Sequence, residues 1–186
     1  MIIKNAHIVT MEDREFENGY ISFENGKITA LGDMSELTES ESAYDAKGAY
    51  VIPGMIDAHS HIGVFDDSLA FEGDDGNEDT DPVTPHLSAI DAVYADDICF
   101  KEAIEDGVTC VVTGPGSANP IGGMMVALKT AGKYADEMIV KSPVAMKMAF
   151  GENPKSVYHG KSQAPSTRMA TAAVIRVSSP ITSDAQ

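Results

Sequence analysis

The sequence predicts an α/β chain, and three stretches carry that reading. Residues 1–49 are rich in short β-type runs. A Pro-Gly turn at Pro53-Gly54 then releases a short apolar run ending in Asp57-Ala58-His59-Ser60-His61. Beyond it, residues 55–113 read as strand, helix, strand, the order of parallel α/β architecture, in which parallel strands need a crossover.

In the opening stretch, Ile2, Ile3, Ile8 and Val9 mark a first strand region. Residues 20–24 and 27–31 flank Asn25-Gly26, the strongest short hairpin signal, because both turn positions must accept positive φ. Residues 35–42 are polar and suit a turn or short helix. Met55 and Ile56 lead the next strand. A strand's period of two puts His59 and His61 on one face, one pleat apart. Two imidazoles so placed are a ready pair of ligands for a divalent metal such as zinc. Asp57 shares their parity and is placed to orient the rings or a metal-held water.

Residues 63–85 form a long acidic connection rich in Gly and Pro. Connections longer than roughly 12–15 residues without structure of their own are functional or disordered. A lid beside the metal site and a plain solvated loop both fit. Asp74, Asp75, Asn77, Glu78 and Asp79 lack the ligand spacing of a calcium loop. Residues 86–106 suit a helix, from the partial stripe Ile90, Val93, Ile98, Ala103 and Ile104, with Gly107 as its stop. The run VTCVVT (108–113) is apolar on both parities, as a doubly covered strand requires.

The stretch TGPGSANPIGG lacks the Lys-Ser/Thr of a phosphate loop. It reads as a backbone turn that brings Ser117 and Asn119 to the same end of the sheet. Residues 124–129 suit a short strand or turn, and 138–140 and 144–150 suit strand. Lys147 lies inside the last run, between Met146 and Met148. An interior lysine must be neutralised, paired or modified, or else snorkel at the strand end. Gly151-Glu152-Asn153-Pro154 closes the run, and there Glu152 suits either a metal ligand or a helix cap. Residues 167–176 are helical in pattern after Pro165 and Ser166. The Ser-, Pro- and Thr-containing residues 177–186 suggest a disordered or foreign tail. His7 and His86 read as surface or capping residues, and His159 falls in a loop-like context.

The net charge is −16, and eleven of the 29 acids lie between Asp66 and Asp97, with no Lys or Arg between Ile62 and Phe100. That balance argues against nucleic acid as a partner. Two cysteines, Cys99 and Cys110, are too few for a disulfide framework and fit a reducing compartment. No signal-peptide pattern opens the sequence and no window has the 18 or so apolar residues of a membrane span. The expected location is the cytoplasm.

PGMIDAHSHIG, together with VTGPGSANPIGG, KMAFGENPK and APSTRMATAA, resembles the metal-dependent amidohydrolase superfamily, in the branch of imidazolonepropionase-like proteins and putative prolidases. The likeness runs over residues 1–176. It implies a partial (β/α)8 TIM barrel, first strands only, over residues 50–176. Before it, residues 1–49 would be half of a β-sandwich-type domain. It implies one or two divalent ions, zinc foremost, with His59 and His61 as ligands and Lys147 or Glu152 as the bridging group. The activity implied is hydrolysis of non-peptide or dipeptide amide C–N bonds, with a small-molecule amide as substrate. A whole barrel needs roughly 250 residues. After Lys147 only His159 and Asp184 remain, whereas the family's later strands supply two more histidines and the catalytic aspartate. The expectation is therefore an N-terminal portion, truncated and inactive alone. The alternative is a non-catalytic half-barrel that self-associates, complements another chain or aggregates.

Overall fold

The computed structural model describes residues 1–38 and 43–178. The chain divides into two compact units, Met1–Gly54 and Met55–Gln186.

The first unit is a five-stranded sheet built around β1 (Ile2–Val9). β2 (Glu15–Glu24) pairs antiparallel with β1, and β3 (Lys27–Asp33) with β2. The β2–β3 turn is Asn25-Gly26, both at positive φ (52° and 74°), as that dipeptide demands. Two short strands, β4 (Ala43–Asp45) and β5 (Tyr50–Val51), run parallel to successive parts of β1. Alternation on β1 turns Ala6 and Ile8 inward, where they meet Ala46 and the flanking Ile3, Phe16, Ile21, Leu31 and Val51. A 3-10 turn at Met34–Glu36 fills the first part of the polar stretch, capped by the Asp33 carboxylate on Ser35 N–H. Residues 39–42 lie outside the described residues.

The second unit holds a four-stranded sheet in the order β6 (Met55–Ser60), β7 (Val108–Thr113), β8 (Ile121–Lys129), β9 (Ile139–Met148). β6 and β7 are parallel, joined by the long crossover. β8 is antiparallel to both β7 and β9, so β9 runs in the direction of β6 and β7. Residues 121–129 thus form one nine-residue strand, more than the short strand or turn expected over 124–129. Gly122-Gly123 looks like a turn in sequence. Here Gly123 has φ 129°, and a Cβ on it would stand 2.9 Å from the Leu87 carbonyl oxygen. The glycine lets the end of the acidic connection lie against the strand, where Ser88 bridges to Met124.

The acidic connection is structured. It contains a 3-10 turn at Phe71–Gly73 and isolated bridges Phe65–Asp74 and Val83–Ile121. The helix expected over 86–106 is confined to α1 (Ile98–Glu105), with a 3-10 turn at Ala89–Asp91 before it. Asp97 sets the boundary: its carboxylate caps Cys99 N–H at 2.9 Å, starting α1 there. Gly107, at φ 86°, ends it. Phe100 of α1 packs with Val64, Val111, Val126, Leu128 and Met138 in the core. A short α2 (Ala135–Met138) precedes β9. α3 (Glu152–Gly160) and α4 (Arg168–Ser178) follow it. His159 is therefore helical, because Pro154 sits in the first turn of α3, where its missing N–H does no harm. Val177 and Ser178 of the expected tail belong to α4, and residues 179–186 lie outside the described residues.

Candidate metal centre

Because β6, β7 and β9 share a direction, one end of this sheet gathers the ends of three strands, with the start of β8 among them. His59 is the penultimate residue of β6, and His61 follows its last. Their rings meet edge to face, with centroids 5.1 Å apart. His61 Nδ1 lies 2.8 Å from the Gly114 carbonyl oxygen, just past β7. A carbonyl can only accept, so Nδ1 carries the proton and Nε2 keeps its lone pair. The Phe65 ring packs edge-on against His61 at 5.7 Å.

Lys147, next to last on β9, places Nζ 3.2 Å from His59 Nε2. An ammonium can only donate, so His59 Nε2 is also a lone pair, with the ring proton on Nδ1. Two imidazoles and an ammonium thus lie together at this sheet end, with both rings in the tautomer a metal ligand needs. A ring N–H held by a backbone carbonyl, as at His61, is the usual way such a ligand is oriented. The Lys147 ammonium rests on the same lone pair that a cation would take. The donor chemistry thus fits a zinc-type ion as far as two imidazoles go. Among the described residues, no three His, Cys, Asp or Glu side chains converge to hold a metal.

Asp57 Oδ1 accepts the main-chain N–H of His59 at 3.0 Å, which steadies the strand end beside the rings. Glu152 lies in the first turn of α3, its Oε2 held by Lys155 Nζ at 2.9 Å. That lysine, first through the hydrogen bond and then through its charge, draws the Glu152 carboxyl below its ordinary range. Ser117 is half-buried in the loop after β7. Asn119 is a structural hub and is not open to a substrate: its Nδ2 donates to the Glu78 carbonyl oxygen at 2.6 Å and Thr84 Oγ1 at 3.0 Å, and its Oδ1 accepts from Tyr158 OH at 2.6 Å. Sequence reasoning missed the Gly114 carbonyl because a main-chain acceptor leaves no residue-type signal.

An α/β unit that presents paired imidazoles at the C-terminal ends of parallel strands has the layout of a metal-using barrel enzyme. A solved amidohydrolase of Thermotoga maritima MSB8 is similar over 95% of this chain and 45% of its own, with 43% identity and a TM-score of 0.86. Among curated proteins, amidohydrolase tasK of Hapsidospora irregularis is 36% identical over 81% of this chain and 17% of its own length. An adenine deaminase of Listeria welshimeri is 30% identical over 89% of this chain and 24% of its own. The chain thus spans a quarter or less of these curated relatives. No protein-family model matches it. These likenesses support reading the chain as the N-terminal portion of a protein of the amidohydrolase superfamily, whose members are metal-dependent. Its fold is the matching mixed α/β arrangement, a small β domain followed by part of a barrel.

Proposed function

We propose that this chain builds the front of the active site of a metal-dependent hydrolase that cleaves C–N bonds of small non-peptide or dipeptide amides. The observation that carries this is the convergence of His59 Nε2, His61 and Lys147 Nζ at one sheet end. His59 and His61 would hold the ion, with Lys147 the third candidate once its charge is removed. When bound, a divalent ion of the zinc type supplies a nucleophilic water near neutral pH and polarises a carbonyl oxygen. The Gly114 carbonyl keeps His61 in its ligand tautomer. Among the described residues no three ligating side chains converge, so turnover by this chain alone is expected to be weak or nil. Two free cysteines and the lack, among the described residues, of a helix long and apolar enough to cross a membrane accord with a cytoplasmic setting.

The test is twofold. Zinc added to the chain should bind, and His59→Ala or His61→Ala should weaken it at least tenfold. Turnover should then be measured on N-acyl amino acids, dipeptides, cyclic amides and adenine with Zn²⁺ or Mn²⁺. Zinc binding indifferent to both histidines refutes the site, and robust turnover abolished by His59→Ala refutes the expected inactivity. A second reading, a non-catalytic half-barrel that self-associates, is favoured by the open edges β6 and β9 and the exposed Ile56 and Val140 beside them.

A further inference from the structure

Two consecutive residues at the end of β7 grip the chain around His61, and only one of them has entered the metal centre so far. The His61 ring donates from Nδ1 to the Gly114 carbonyl oxygen at 2.8 Å. The main chain just beyond His61 is held as well: Thr113 Oγ1 donates to the Ile62 carbonyl oxygen at 2.7 Å. Residues 61 and 62 on one side and 113 and 114 on the other thus close a small cycle through two hydrogen bonds. Thr113 is 0% exposed, so water does not compete for its hydroxyl. Gly114 is buried too, and a Cβ on it would stand 2.6 Å from Met125 Cγ, so its main chain is closely backed by β8. The peptide joining Ile62 to Gly63 is gripped at both ends, because Asp97 Oδ2 accepts the Gly63 N–H at 2.8 Å.

Strand pairing alone does not fix this end of the sheet. From Asp57 to Ser60, β6 advances by three residues while β7 advances by two, from Val111 to Thr113. An extra residue of this kind disrupts the ladder and bends the strand. The paired register then ends at Ser60 and Thr113, one residue before His61. The Thr113 hydroxyl takes over where the ladder stops. We propose that Thr113 is a positioning residue for the metal centre. By fixing the Ile62 carbonyl it sets the His61 ring square to Gly114, which keeps the proton on Nδ1 and the Nε2 lone pair open to a cation. This inference rests on the metal-site reading of His61. Hydrogen bonds weaken steeply as their angle closes, so a modest tilt of the 62–63 peptide is enough to loosen the ring. Thr130 offers a matched contrast. It is 3% exposed, and its Oγ1 donates to the Val108 carbonyl oxygen at 2.8 Å, at the opposite end of β7.

Two measurements on the whole chain test this. Heteronuclear NMR of the ring nitrogens reads the His61 tautomer in the metal-free chain, at mildly alkaline pH where imidazoles are neutral. Calorimetry reads the affinity for Zn²⁺. The unaltered chain should show His61 as a single tautomer with the proton on Nδ1. Thr113→Val, which keeps the shape and removes the donor, should give mixed tautomers and weaken zinc by roughly tenfold or more, the usual effect of losing a group that orients a ligand. Thr113→Ser, which restores the hydroxyl, should recover both readouts. Thr130→Val should leave both unchanged. Circular dichroism checks folding; if Thr113→Val does not fold, Thr113→Cys, with its weak donor, should also show mixed tautomers. The proposal is overturned if the folded Thr113→Val or Thr113→Cys chain keeps a single His61 tautomer. Loss of both readouts in Thr113→Ser, or an equal loss in Thr130→Val, overturns it as well. If zinc proves indifferent to His61→Ala, the metal-site reading falls, and the metal-free spectra alone decide: mixed tautomers in Thr113→Val sustain the positioning role and a single one ends it.

Discussion

Asn119 illustrates how a residue's type and its place can point to different jobs. In sequence it sits in a Gly-rich turn, a fair candidate for contacting a substrate. In the folded chain it is 3% exposed and joins the loop after β7 to Glu78, Thr84 and Tyr158. Asn119→Ala strands the buried Tyr158 hydroxyl, so unfolding in urea should show a loss of about 2–3 kcal/mol. A change below half a kilocalorie would show the network to be dispensable. Cys99 makes a second residue-scale prediction. Burial, then the neighbouring Asp97 and Asp67, push its thiol up to about 12 from 9.0. The folded state therefore holds the proton more tightly than the unfolded chain. Stability from this group is complete below pH 9 and declines as pH rises toward 12. Alkylation of Cys99 by iodoacetamide should be slow and still accelerating with pH at about pH 10, where an ordinary thiol has levelled off.

Among the elements, α1 is the one whose start the sequence pattern misplaced. The apolar stripe across residues 86–106 runs through a region that is turns up to Asp97. Asp97 does two things: one oxygen caps α1 and the other holds Gly63 N–H, where the chain has just left β6. The second bond spans 34 residues and leaves no local trace. Asp97→Ala removes both, and chemical denaturation should report a loss of about 2 kcal/mol or more. Asp97→Asn, which retains an acceptor, should lose markedly less. Equal losses for the two variants would mean that the carboxylate's second bond contributes nothing. β8 was misread for a related reason: its two glycines signal a turn locally, and only the Leu87 carbonyl lying against Gly123 gives them their function.

At the scale of the whole molecule, the second unit leaves apolar sheet surface in water. Ile56 is 69% exposed on β6 and Val140 53% exposed on β9, each on an edge strand. Exposed sheet edges with apolar side chains favour association. Light scattering should show a mass that grows with concentration, and Ile56→Lys with Val140→Lys should return the chain toward a monomer. A clean monomer of the unaltered chain at high concentration would count against the associating half-barrel.

What the residues alone determined was local chemistry with short-range geometry. The Asn25-Gly26 hairpin follows from φ preferences, the β6 and β7 strands from apolar patterning, and the His59/His61 pair from a period of two. What the tertiary structure decided was every relation across the sheet. Lys147 reaches His59 from 88 positions away, and His61 takes its tautomer from a carbonyl 53 positions away. The antiparallel β8 sits between β7 and β9, and Asp57 turns onto its own backbone. Such partners are chosen by strand order and register, and those arise from burial summed over the whole unit, which no short window of sequence contains.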